Sequence, residues 1–180
     1  MLKPLARYLL KQHLKNHPRR PSLVHGDLID SMAVVGMADD DQSFGVVSEY
    51  VKELRRRGIK TVDFYVGFKS KKLFEDYKGS LKDHPFHSSS FSWMGNIDST
   101  DLDSLESTAY DILIDLSQGS VMEADVILAK SKAKWKAGSK NSDRAFLLDF
   151  MIDMKEDGDI RNLIHHLDKY LMNFNKMNAA

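Results

Sequence analysis

A chain of 180 residues with 42% hydrophobic and 29% charged side chains has the make-up of a folded globular protein, not a disordered one. It has no cysteine, which excludes disulfides, cysteine–zinc sites, iron–sulfur clusters and thiol catalysis. Net charge is zero, yet residues 1–20 hold six of the 26 cations and no acid, so the rest carries 20 cations against 26 acids.

The chain opens MLKPLARYLLKQHLKNHPRR. Charge interrupts its apolar residues every few positions, so it reads as a helix and not as a secretory signal. No apolar run approaches the roughly 20 residues of a membrane span. With cysteine absent, a cytoplasmic setting is expected. Pro4 suits a first helical turn, Leu2, Leu5 and Leu9 share one face, and Pro18 and Pro21 end the helix. This basic amphipathic segment, 1–20, stands apart from a single α/β domain expected over 31–175.

Ser31 to Met37 is the first strand, and the acids Asp39, Asp40 and Asp41 follow it. Phe44, Val47, Tyr50, Val51 and Leu54 repeat at helical spacing up to Gly58. Thr61 to Phe68 is a second strand, Ser70 to Tyr77 a short helix, and Phe86 to Ser90 a weak strand near an edge. Ser99 to Leu105 is helical. Ala109 to Gly138 then reads strand, turn, helix, strand, the unit of a parallel sheet. Residues 145–154 form a sixth strand, and the loop before them is too short for a helical crossover, which predicts an antiparallel edge. Ile160, Leu163, Ile164, Leu167, Tyr170, Leu171 and Phe174 line one face of a final helix.

The expected fold is α/β: a doubly wound, mostly parallel Rossmann-like sheet of five or six strands with an antiparallel edge strand and an extra N-terminal helix. Right-handed crossovers suggest the order 3-2-1-4-5-6, with the switch point between strands one and four.

Two resemblances arise here. Tyr110-Asp111-Ile112-Leu113-Ile114-Asp115-Leu116, with Ala133 to Gly138, is similar to part of the N-terminal half-domain of heptosyltransferase-type glycosyltransferases. That likeness implies a sheet-end site for a nucleotide or sugar. The second, nucleotide-sugar-binding domain of those enzymes has no counterpart here, and no catalytic position matches. Over nearly its whole length the chain also resembles a family of small uncharacterised Bacteroidetes proteins. The basic N-terminal helix, Trp93-Met94-Gly95, Asp111 to Asp115, Ala133 to Gly138 and Leu148-Asp149 carry that likeness. It implies a fold and a cytosolic setting but no activity.

In such a sheet, ligands bind beyond the carboxyl ends of the strands. Asp39, Asp40, Asp115, Ser117, Gln118 and Ser120 are the candidates there, with Trp93 as a residue that could stack on a ligand ring. The loop after strand one has acids where phosphate-cradling glycines would stand, so tight dinucleotide or ATP binding is not expected. Converging carboxylates suit Mg²⁺, but helix capping explains them more simply, and no metal or cofactor is assigned. His13 and His17 share a helical face, but zinc needs a third ligand. His84 and His87 flank Pro85 with no nucleophile set beside them.

With no catalytic residue assigned, the expected function is a non-catalytic binding or interaction protein. The alternative is a small enzyme or nucleotide/sugar-binding protein using the strand-end crevice. The N-terminal helix should dock on the domain or on a second copy of the chain, giving a homodimer. A membrane-surface or nucleic-acid contact through its cations is the weaker reading.

Overall fold

The computed structural model describes residues 3–38, 41–92, 95–119, 121–154 and 159–173. Its helices and strands run α1 (Lys3–Asn16), β1 (Ser31–Met37), α2 (Asp41–Arg56), β2 (Thr61–Gly67), α3 (Lys71–Asp76), β3 (Asp83–Phe86), α4 (Asp103–Ser107), β4 (Ile112–Asp115), α5 (Met122–Lys130), β5 (Trp135–Ser139), β6 (Phe150–Ile152) and α6 (Ile160–Asn173). The six strands form one sheet in the order β3-β2-β1-β4-β5-β6. Every pairing is parallel, with Val34 opposite both Phe64 and Ile114 at the centre.

Both faces of the sheet are covered, which is why its central strands read as continuous apolar runs and not as alternating ones. Alternation survives in which face each residue meets. Met32, Val34, Phe64, Val66, Ile112 and Ile114 pack with α2 and α6. Ala33, Val35, Tyr65 and Leu113 pack with α4 and α5. The stripe Val47, Tyr50, Val51 and Leu54 fastens α2, and Ile160, Leu163, Leu167 and Leu171 fasten α6. Gly58, at a φ of +85°, turns the chain out of α2 in a conformation that glycine adopts without strain.

The expected antiparallel edge is corrected. β6 lies parallel to β5, with Ala137 opposite Phe150 and Ser139 opposite Ile152. The pairing involves only the last three residues of β5, so residues 140–149 need to retrace only about 10 Å. A 3-10 turn at Ala145–Leu147 does this in place of a helix, anchored by buried Arg144, Leu147 and Leu148. The weak third strand is also earlier than expected, at 83–86, and residues 88–90 form a 3-10 turn.

α1 packs on α5, but not through the expected leucine stripe. Leu2 lies outside the described residues, and Leu5 is 47% exposed. The buried face is Ala6 and Leu10, with Leu14 partly covered, about one residue's rotation away. Two of its cations are also engaged. Arg7 reaches Asp143 at 3.2 Å, and Lys11 sits 5.1 Å from the centre of the Phe146 ring.

Candidate functional site

The carboxyl ends of β1 and β4 are neighbours, and their connections leave in opposite directions, β1 toward β2 and β4 toward β5. Asp115 ends β4. Its Oδ1 accepts the Ser117 amide at 3.0 Å and the Ser117 hydroxyl at 2.5 Å, a local turn that folds the carboxylate inward. Its Oδ2 lies 2.9 Å from a terminal nitrogen of Arg144. Arg144 donates through Nε to Asp125 at 2.5 Å, and through its two ends to the Gly119 carbonyl at 2.9 Å and Ser117 Oγ at 3.3 Å. Gly119 can present that carbonyl because its φ is +82°, in the left-handed region.

Asp115, Asp125, Ser117 and Arg144 are each at most 2% exposed. A buried guanidinium with two carboxylates is stable only when it is well hydrogen-bonded, and here each of its three nitrogens has a partner. Burial pushes the Asp125 carboxyl above its ordinary range, Arg144 opposes the shift, and the nearby Asp115 charge adds to it. The cluster is a strut that ties β4, α5 and the loop before β6 together. It offers no free base or nucleophile to a ligand.

Beside it is a recess of about 180 Å³, lined by Gln42, Ser43, Gln118, Asp159, Ile160 and Arg161, where the starts of α2 and α6 meet the loop after β4. Of the residues expected at the strand ends, Asp115, Ser117 and Gln118 are therefore brought together. Only Gln118 faces the recess. Asp39, Asp40, Trp93 and Ser120 lie outside the described residues. Among the described residues no three His, Cys, Asp or Glu stand close enough to hold a metal ion.

Sequence reading missed three buried polar groups. Arg144 is the first. Lys136 is the second: it is 1% exposed inside an apolar strand and donates to the Leu128 carbonyl. The lysine between Trp135 and Ala137 was a visible signal, because a cation in a buried strand needs a partner. The third is a chain of hydroxyls at the other end of the sheet. Tyr110 donates to Asp63 at 2.5 Å, so Tyr65 donates to Tyr110 at 2.9 Å and Ser104 to Tyr65 at 2.8 Å. Burial holds the Tyr65 hydroxyl up at about 12, with its hydrogen bonds to Ser104 and Tyr110 opposing. Asp63 Oδ1 faces His84 Nε2 at 3.7 Å, an ion-pair distance beyond hydrogen bonding.

The family described as "Family of unknown function (DUF6913)" matches residues 3–174, and the chain belongs to it. No curated protein matches the chain significantly. Among solved structures, E. coli heptosyltransferase WaaC with ADP is similar, with a TM-score of 0.50 and 12% identity over 78% of this chain and 47% of that one. The chain thus spans about half the length of that enzyme, and at this identity the likeness is one of fold alone. No helix among the described residues is long and apolar enough to cross a membrane.

Proposed function

We propose that this chain is a non-catalytic binding or interaction protein of the cytoplasm whose binding surfaces lie away from the strand ends. One observation carries the reading. At the carboxyl end of β4, where an α/β enzyme places its chemistry, the acids, the arginine and the serine are spent on one another. The absence of cysteine suits a reducing compartment.

The alternative, a nucleotide- or sugar-binding half-domain, draws on the fold likeness to the heptosyltransferase with ADP. Gln118, Arg161 and the start of α6 would be its contacts. The recess of about 180 Å³ is smaller than the roughly 300 Å³ at which small-molecule sites begin, which favours the first reading.

Thermal unfolding of the full chain with ADP, a nucleotide-sugar or Mg²⁺, beside a Gln118→Ala, Arg161→Ala double variant, tests this. No stabilisation should depend on those two residues. A ligand at 100 times its Kd adds about 2.7 kcal/mol, a rise of roughly 5–10 °C at this size. Such a rise, lost in the double variant, would overturn the reading and make the recess a ligand site.

A further inference from the structure

At the amino end of the sheet, the last turns of α1 and α5 and the start of β5 enclose a pocket of about 640 Å³. His13, His17, Arg19, Lys130, Lys132 and Lys136 stand on its walls. Among the described residues its lining includes one acid, Glu106, which lies 3.2 Å from Lys130.

Part of this charge serves the fold. Helix carboxyl ends attract cations. Lys136 donates to the Leu128 carbonyl in the last turn of α5. Arg19 donates to the carbonyls of Ala133 and Lys134, and grips Asp149 at 2.6 and 2.7 Å. These duties leave a surplus. An ammonium has three N–H donors, and the bond to Leu128 uses one of those on Lys136. Lys132 is exposed and makes no ion pair among the described residues. His13 and His17 stack with ring centres 4.6 Å apart. Burial, then the charges of Lys130 and His17, hold His13 below its ordinary value. Burial and then Arg19 push Lys136 down to about 7 while Asp149 pulls it up. The basic groups of the lining outnumber its one acid among the described residues, and part of its donor capacity is unfilled.

We infer that this pocket binds a phosphate-bearing small molecule, with Lys132, Lys136 and His13 donating to the phosphate oxygens. A phosphate group presents several strong acceptors on one centre, which matches donors converging from α1, β5 and the loop between α5 and β5. Its charge offsets the repulsion that Lys130, His17 and Lys136 exert on His13 and that Arg19 exerts on Lys136. The volume is that of a small-molecule site. The inference stands apart from the strand-end recess, which lies at the opposite end of the sheet.

Calorimetry of the full chain with pyrophosphate at pH 7 and fixed ionic strength tests it, with citrate as a second probe. Saturable one-site binding to pyrophosphate is expected, weaker by at least tenfold in Lys132→Glu and in Lys136→Met. Lys132 is exposed, so its variant folds whatever becomes of the buried one. Lys72→Glu, on the distant α3, should leave binding unchanged. No saturable heat with pyrophosphate, or an equal loss in Lys72→Glu, would overturn the site. Citrate binding as tightly as pyrophosphate would overturn its phosphate chemistry. Binding lost in the Gln118→Ala, Arg161→Ala variant and retained in the lysine variants would move the ligand to the recess.

Discussion

Arg144, in the loop between β5 and β6, meets Asp115 at the end of β4 at 2.9 Å, with both side chains 2% exposed. Asp125, 2.5 Å away on α5, completes the cluster. Arg144→Met should cost about 3–5 kcal/mol, because two buried carboxylates lose their counter-charge. Urea midpoints with an unchanged slope would register the loss. Adding Asp115→Asn and Asp125→Asn should return part of it. A single variant within about 0.5 kcal/mol of wild type would show that the cluster is not the strut described here.

Leu163 and Leu167 on α6 are 2% and 0% exposed. Either changed to Ala should destabilise the protein by about 2–5 kcal/mol. Unchanged denaturation midpoints would show α6 to be peripheral to the core.

Three carboxyls sit below their ordinary value although burial pushes each of them up. Asp63 is held down by His84 and Tyr110, Asp83 by the Ser80 amide and Arg55, and Asp111 by Lys134 and the amides of Asp30 and Ser31. At these three groups the unfolded chain therefore binds more protons in the acid range than the folded one, and their contribution to stability rises with pH. This contribution is complete above about pH 4 and is lost as pH falls through the lower folded values. Tyr110→Phe removes one of the groups holding Asp63 down. It should cost about 1–3 kcal/mol at neutral pH and flatten the acid limb of stability against pH. An acid limb identical to wild type would contradict the hydroxyl chain.

Lys136 is also shifted down, but toward its neutral form, because its folded value near 7 lies below that of an unfolded lysine. Between about pH 7 and 10 the unfolded chain holds the proton and the folded chain has released it. Stability from this residue rises with pH there, by up to about 1.4 kcal/mol per pH unit. The stability of wild type minus that of Lys136→Met should therefore grow across this window. A difference independent of pH would place the ammonium in water.

Removing residues 1–20 strips Ala6 and Leu10 from α5 and breaks the Arg19–Asp149 pair. The melting temperature should fall by several degrees, at roughly 2–4 °C per kcal/mol for a chain of this size. An unchanged melting temperature would mark α1 as an arm and not as part of the fold.

Local pattern carried much of this fold. The apolar runs of β1, β2 and β4, the periodic faces of α2 and α6, and right-handed crossovers led to the observed strand order, because each depends on neighbours in sequence or on chirality. Gly58 marked the end of α2 for the same reason. What the tertiary structure decided depends on who packs against whom. β6 runs parallel because Arg144 and Leu148 anchor a short return path that has no periodic signature. α1 buries Ala6 and Leu10 in place of the Leu5 side because α5 decides which face is covered. Asp115 and Ser117, legible as strand-end polar residues, turn inward because an arginine distant in sequence reaches them. The charges of the basic pocket also come from separate segments, α1, α5 and β5, that converge only when the sheet is assembled. A charge in the sequence carries no sign of its partner, and burial with or without that partner separates a strut from a site.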